Sequence, residues 1–401
     1  MEGKVVKIGD KLVGFGHPCF IIAEVGINHN GSVEIAKDLI KVAAQSGADA
    51  VKFQKRTVSR ILTKEGLNKP YNSNHSFGKT YGEHKEFLEL GEKEYAELFE
   101  YAEECGIMMT ASAWDEEAVD FLEKFDVPFH KVASADLTNL PLLQYIAKTG
   151  KPMVISTGMA DLIEVYTAMQ TVLPFNKNII LLQCTSSYPS PNDQIHLSVI
   201  KTYQQLFPEA VIGFSGHEKG RSISIASTVL GAKLIERHLT LDRTMKGGDH
   251  AASLEPDSFH KLVKDIRYVE EAMGDKNKRK QATEESCSLK LRKSIATRCF
   301  IPAGTLLTME HLVVKGPGSG ISPIFIYKLL GEKVINDVEE DTLLHPDDLE
   351  ESVVNNLNTS IASLLLTPND SLAQNILKTF NLEGGAITES SPLPKATSAR
   401  V

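Results

Sequence analysis

Glu24, Lys52, Lys131, His217 and His238 each fall inside or just after a short apolar run, where an ionisable side chain is costly unless something answers it. His217 and His238 follow two successive runs. If both project to one side they can share a divalent ion, and imidazole suits Mn, Fe, Co, Ni or Zn. A single histidine at such a place is more often a hydrogen-bonded core residue, so the pair carries the argument. Lys52 and Lys131 interrupt DAVKFQK and FHKVAS. An anionic ligand would compensate both ammonium groups; the plain alternative is a structural carboxylate beside each. Ser134, Ser156, Ser186 and Ser215 lie near other run ends, and lysines with hydroxyl and backbone donors form a cradle for phosphate or carboxylate. Glu24 is either an ion-paired structural acid or an acid/base group tuned by burial. Asp249, in KGGDHAASLEP, adds a second acid, and Gln54, Ser112, Asp136 and Tyr188 add further polar groups at run ends.

The elements that would position these groups repeat one pattern. The runs CFIIAEVG, DAVKFQK, GIMMTAS, FHKVAS, PMVISTG, IILLQC, AVIGFSG and KLIERHLT alternate with helix-like stretches such as SVEIAKDLIKVAAQSG, whose apolar residues recur at i, i+3, i+4. Eight strand–helix units in succession predict an α/β fold, a (β/α)8 TIM barrel, over residues 1–273. An open doubly wound sheet would want an early Gly-rich fingerprint, and none is present. In a barrel the catalytic groups sit at the C-terminal strand ends, where the residues named above fall. The insertion at 56–90, containing PYNSNHSFGKTYGEHK, follows the second strand and is expected as a loop on that same face. Polar residues 274–289 read as a linker. Residues 290–350 read as a small β-rich unit punctuated by PAG and GPGSG turns, and 351–401 as a weakly ordered tail in which SLAQNILKTF can form one helix.

The formal net charge of −9 argues against a nucleic-acid partner, so an anionic substrate must be held by local positive groups. Five scattered cysteines with no CxxC pair predict a reducing, cytoplasmic setting, and no apolar run is long enough for a membrane span.

Taken together, FIIAEVGINHNG, DAVKFQK, FHKVAS, VISTGM, QCTSSYPSP, GFSGHEKG, ERHLTLDR and GGDHAASLEP resemble, in order, the barrel signatures of the sialic acid synthase family. IATRCFIPAGTLLTMEHLVVK resembles the antifreeze-like (SAF) domain that follows the barrel there. The resemblance covers about residues 19–350. It implies a metal-assisted condensation of phosphoenolpyruvate with an N-acylated amino sugar, free or 6-phosphorylated, with C–O cleavage. His217 and His238 would hold the metal, Mn or Mg. Lys52, Ser112, Lys131, Ser134, Ser156, Ser186 and Ser215 would surround phosphoenolpyruvate. Gln54, Asp136, Tyr188 and Asp249 would face the sugar, and Glu24 would be the acid/base. It further implies a domain-swapped homodimer.

One position departs from the pattern. Many bacterial members of that family place an arginine of the small domain over the N-acyl group, and the aligned residue here is Gly316. A 6-phosphorylated sugar would need extra positive charge near the mouth, for which His75, Lys79 and His84 of the insertion are the candidates. Two other readings stand beside this one: a pseudaminic, legionaminic or deaminated nonulosonate synthase with the same barrel chemistry, and a non-catalytic sugar-binding protein.

Overall fold

The structure, a computed structural model, describes residues 3–275 and 277–364, with side chains described to residue 357. The chain divides into two compact units at the Gly274–Asp275 step. SLAQNILKTF lies outside the described residues.

The first unit opens with an antiparallel hairpin, β1 (Val5–Ile8) and β2 (Lys11–Gly14). Eight parallel strands follow: β3 (Phe20–Gly26), β4 (Ala50–Lys55), β5 (Met108–Ala113), β6 (His130–Val132), β7 (Met153–Ser156), β8 (Ile179–Cys184), β9 (Val211–Gly216) and β10 (Leu234–His238). They close into a barrel in chain order, β10 pairing with β3. Helices Val33–Gln45, Glu92–Glu104, Glu116–Glu123, Leu140–Lys148, Leu162–Val172, Val199–Leu206, Ser222–Val229 and Pro256–Met273 connect successive strands and close the circuit. The expected barrel is the observed one.

The two-residue period of each strand sorts its side chains. On β3, Ile21, Ala23 and Val25 join the core shared with the surrounding helices, while Phe20 and Ile22 face the barrel interior. The hairpin residues Val6, Ile8 and Val13 join that interior cluster beside Phe20, Phe129, Val154, Leu182 and Leu234. An apolar floor therefore fills the N-terminal end of the barrel. Continuing each inward row by two residues reaches Glu24, Lys52, Lys131, Ser156, Cys184 and Glu236. The polar layer is thus stacked directly on the apolar one by strand geometry alone.

The insertion is not a bare loop. It contains short helices Val58–Ile61, Lys64–Asn68 and Tyr81–Phe87. The last starts at a capping box, in which Thr80 Oγ1 accepts from Glu83 N and Glu83 Oε2 accepts from Thr80 N, each at 3.2 Å.

The second unit pairs β11 (Ser294–Thr297) with β12 (Leu312–Lys315). Its own core gathers Ile295, Leu312, Phe325, Leu329, Val338 and Leu344. Two stretches are more regular than their polarity suggests. Within 274–289, Glu284 caps back onto Gln281 N at 2.7 Å and starts a 3-10 turn that runs into helix Glu285–Leu291. The expected tail begins with helix Glu351–Leu364, where Val353 and Leu357, one turn apart, are buried in the second core.

Candidate active site

The polar layer lines a cavity of about 250 Å³ at the C-terminal end of the barrel. Glu24, Lys52 and Gln54 enter from β3 and β4, Ser112 from β5, and Lys131 and Ser134 from β6 and its following turn. Ser156, Ser186 and Tyr188 come from β7 and the loop after β8; Ser215, His217, His238 and Asp249 complete the wall. Asp136 does not line it. The chain turns into a 3-10 helix at Ser134–Asp136, and the Asp136 carboxylate accepts instead from Asn139 Nδ2 at 3.4 Å.

The two lysines are answered by carboxylates of the cavity itself. Glu24 Oε2 lies 2.5 Å from Lys52 Nζ, and both side chains are almost fully buried. Glu236 Oε1 lies 3.6 Å from Lys131 Nζ and 4.0 Å from Lys52 Nζ. Each ammonium also donates to a hydroxyl at 2.8 Å, Lys52 to Ser112 Oγ and Lys131 to Ser156 Oγ. Burial pushes the Glu24 carboxyl up to about 7 against the pull of Lys52. Burial works against the Lys52 charge too, but Glu236 and Glu24 outweigh it and hold that ammonium above its usual range. For Lys131 burial prevails and the pKa falls. Glu236 escaped notice in the sequence, although its place two residues before His238, on the same strand face, was a readable signal.

A hydroxyl cluster lies alongside. Gly158 N donates to Ser134 Oγ at 3.0 Å. A Cβ at Gly158 would stand 2.2 Å from Ser186 Oγ and 2.8 Å from Ser134 Oγ, so only glycine lets this backbone approach both serines.

The imidazoles of His217 and His238 have ring centroids 5.3 Å apart, with the Tyr188 ring 4.1 Å from that of His217. His217 Nδ1 donates to Thr185 O at 2.8 Å, which leaves Nε2 as the nitrogen facing a ligand, the second-shell arrangement of a metal-ligating histidine; burial works against its charge, but Cys184 and Thr185 O outweigh it and raise its pKa. Burial, then the neighbouring His217, holds His238 well below the usual histidine pKa and so neutral. His238 Nδ1 and Glu236 Oε2 are buried without a hydrogen-bond partner among the described residues. No group of three or more His, Cys, Asp or Glu donors is gathered for a metal ion among those residues. The donor set therefore fits an open site, two imidazoles with further positions left to water and substrate, rather than a closed structural one. The loop carrying His217 is braced from below: Glu218 and Arg237, both fully buried, pair at 2.5 Å, and Arg237 also donates to Glu218 O and Gly220 O.

The insertion delivers one cation to the cavity, but not one of the three expected. His75 and Lys79 are exposed and lie outside the lining. His84 is buried among the rings of Tyr71, Phe77 and Tyr81, with Nδ1 accepting from Phe77 N at 3.2 Å, and burial lowers its pKa to about 4. The residue that lines the cavity is its neighbour Lys85, beside Trp114. Helix register decides this: the inward face of Tyr81–Phe87 takes up His84, and the adjacent direction points to the mouth.

Residues 39–278 match the NeuB family and residues 292–350 match the SAF domain. The chain belongs to the NeuB family and carries a SAF domain after its barrel. It is 49% identical to the human N-acetylneuraminate-9-phosphate synthase over 88% of this chain and 97% of that one. It is 35% identical to the N,N'-diacetyllegionaminic acid synthase of Legionella pneumophila, over 85% and 98% of the two chains. Among solved structures it resembles the N-acetylneuraminic acid synthetase of Leptospira borgpetersenii in complex with citrate, with a TM-score of 0.63 and 31% identity over 71% of this chain and 95% of that one. Among the described residues no helix is long and apolar enough to cross a membrane.

Proposed function

We propose that the barrel condenses phosphoenolpyruvate with an N-acylated hexosamine, N-acetylmannosamine or its 6-phosphate, and water, giving N-acetylneuraminate or its 9-phosphate and phosphate. One observation carries this reading: the buried Glu24–Lys52 pair lines the same cavity as the two facing imidazoles. An acid/base group and a cation-binding pair thus meet in one space. The similarity to N-acetylneuraminate-9-phosphate synthases supports the same reaction.

In this account Lys52, Lys131 and the hydroxyls of Ser112, Ser134, Ser156, Ser186 and Ser215 surround phosphoenolpyruvate. Gln54, Tyr188 and Asp249 face the amino sugar. His217 and His238 would hold a divalent ion, Mn or Mg, which when bound supplies Lewis-acid polarisation of the open-chain aldehyde oxygen. The enol carbon attacks the aldehyde carbon and forms the new C–C bond while the carbonyl π pair moves onto the aldehyde oxygen, which becomes a hydroxyl by taking the proton that Glu24 removes from the water. Positive charge is left on the former enol carbon. Glu24 orients a water there and takes its proton as the new C–O bond forms. The tetrahedral intermediate then breaks the C–O bond to the phosphate, which leaves with the bonding electrons and takes up the proton of the new hydroxyl as that oxygen becomes the ketone. Both lysines stay ionised throughout, and no Schiff base is formed. Association into a domain-swapped homodimer and a reducing, cytoplasmic setting are part of the same proposal; the five cysteines, all unpaired, are consistent with that setting.

The test is phosphate release from phosphoenolpyruvate with N-acetylmannosamine, its 6-phosphate, and the diacetylated sugars of the legionaminic and pseudaminic types, with and without chelator. Release that needs both an N-acetylmannosamine substrate and a metal supports the proposal. Release only with a diacetylated sugar would reassign the substrate, and none with any sugar would refute catalysis.

A further inference from the structure

We infer that Lys85 sets sugar specificity in this cavity, its ammonium receiving a phosphomonoester on the end of the sugar away from the reacting aldehyde. The inference rests on the synthase reading above and names which form of the sugar that site takes.

Unmatched charge singles out Lys85. Lys52 and Lys131 already share Glu24 and Glu236. The nearby Arg56 and Lys55 both meet Glu89, at 2.6 and 3.5 Å. Among the described residues, Lys85 alone of these cations has no carboxylate within 4 Å and no hydrogen bond, yet it is half-buried and lines the cavity. Its ammonium lies 5.2 Å from the Tyr81 ring and 6.0 Å from the Trp114 ring at the cavity wall, so aromatic faces rather than a carboxylate flank the charge. Burial, with Arg56 adding repulsion, lowers the pKa to about 8. A desolvated, unpaired ammonium is costly, and a dianionic ligand relieves that cost as a sugar hydroxyl does not.

Position supports the same ligand. Beyond Arg56, the charges that act on Lys85 are Asp249 and Glu89, whereas Lys131 feels chiefly Glu236, Lys52 and Glu24. Asp249 also acts on Lys52, so the separation rests on the chain path: Lys85 enters the cavity from helix Tyr81–Phe87 of the insertion, beside Trp114, whereas Lys52 and Lys131 of the nest enter from strands β4 and β6. A phosphate reaching it would sit on the sugar and not on phosphoenolpyruvate.

The experiment measures kcat/KM for N-acetylmannosamine 6-phosphate and for N-acetylmannosamine, each with saturating phosphoenolpyruvate, in the full-length protein and in Lys85→Met and Lys85→Arg. The wild type should prefer the phosphorylated sugar. Lys85→Met should lower the ratio of the two kcat/KM values about 30-fold, within the reach of one hydrogen bond to a charged group, chiefly through KM for the phosphorylated sugar. Lys85→Arg should recover most of that ratio, which a merely structural role would not require. A wild type that prefers the free sugar overturns the inference, as does a ratio unmoved by Lys85→Met. A rise in KM for phosphoenolpyruvate with both sugars alike also overturns it, by assigning the ammonium to the other substrate. If phosphoenolpyruvate is not consumed with either sugar, the synthase reading itself falls, a result distinct from turnover that ignores Lys85.

Discussion

Glu236 and Lys131 form an ion pair at 3.6 Å across the barrel, from strands β10 and β6, which lie four steps apart in the closed ring of eight. The pair spans the opening above the apolar floor. Together with Glu24 and Lys52 it leaves two positive and two negative groups in one buried cluster before any substrate arrives. On the proposed reaction an incoming phosphoenolpyruvate would add net negative charge, and a cation held by the neighbouring His217 and His238 would offset it besides polarising the aldehyde.

Replacing that carboxylate separates its two effects. Glu236→Gln leaves the Lys131 ammonium buried without its partner and should cost about 3 kcal/mol of unfolding free energy. The same change removes a charge that repels anions. Phosphoenolpyruvate should then raise the thermal midpoint by more in the variant than in the wild type, as followed by calorimetry across a ligand titration. An equal or smaller rise would show that the cluster does not meet the substrate.

The imidazole pair predicts the metal dependence. His238→Ala should remove tight binding of one equivalent of Mn by equilibrium dialysis and lower kcat roughly 100-fold or more, the scale of Lewis-acid assistance. In the wild type, chelator should abolish turnover and added Mn or Mg should restore it. Retained metal in the variant would place the ion elsewhere.

Gly158 should be intolerant of even one methyl group. A Cβ there meets Ser186 Oγ and Ser134 Oγ well inside contact distance, so Gly158→Ala must push the hydroxyl cluster open. KM for phosphoenolpyruvate should rise at least about tenfold, with overpacking costing roughly 1–3 kcal/mol of stability. An unchanged KM would take these serines out of the phosphoenolpyruvate site.

His29 predicts an acid limb of stability. It is buried against Phe53, its Nδ1 accepts from Gly31 N at 3.1 Å, and burial, then Arg56, lowers its pKa to about 4. The unfolded chain takes up a proton near pH 6.5, which the folded chain refuses down to about pH 4. The stability from keeping this ring neutral is present above about pH 6.5 and is lost as the pH falls through about 4, at most about 3 kcal/mol. Denaturant titrations from pH 7 to pH 4 should show His29→Phe losing less stability on acidification than the wild type. Parallel curves would remove His29 as the cause.

What could be read from the sequence and what could not follow one physical division. The barrel was legible because eight apolar runs impose a period of two and the stretches between them a period near 3.6. Period two also put Glu24, Lys52 and Lys131 on inward rows, so most of the cavity wall followed from local spacing. The helix at 351–364 was missed because polar composition masked the single-turn spacing of Val353 and Leu357. Asp136 and His84 were misplaced for a different reason. Where a 3-10 turn or a short helix aims a side chain depends on the packing of its neighbours, which spacing does not encode. That same dependence concealed Lys85, one residue from the histidine that the aromatic cluster took up.

The central claim is that phosphate leaves the enol carbon by C–O cleavage after a sugar has been joined to it in this cavity. Phosphoenolpyruvate labelled with oxygen-18 at the bridging position tests it most directly, with mass spectrometry of both products. The account predicts phosphate that appears only when the amino sugar and a divalent metal are present and that carries the heavy oxygen, beside an unlabelled nine-carbon sugar acid. Heavy oxygen retained in the organic product, or labelled phosphate formed without any sugar, would contradict it.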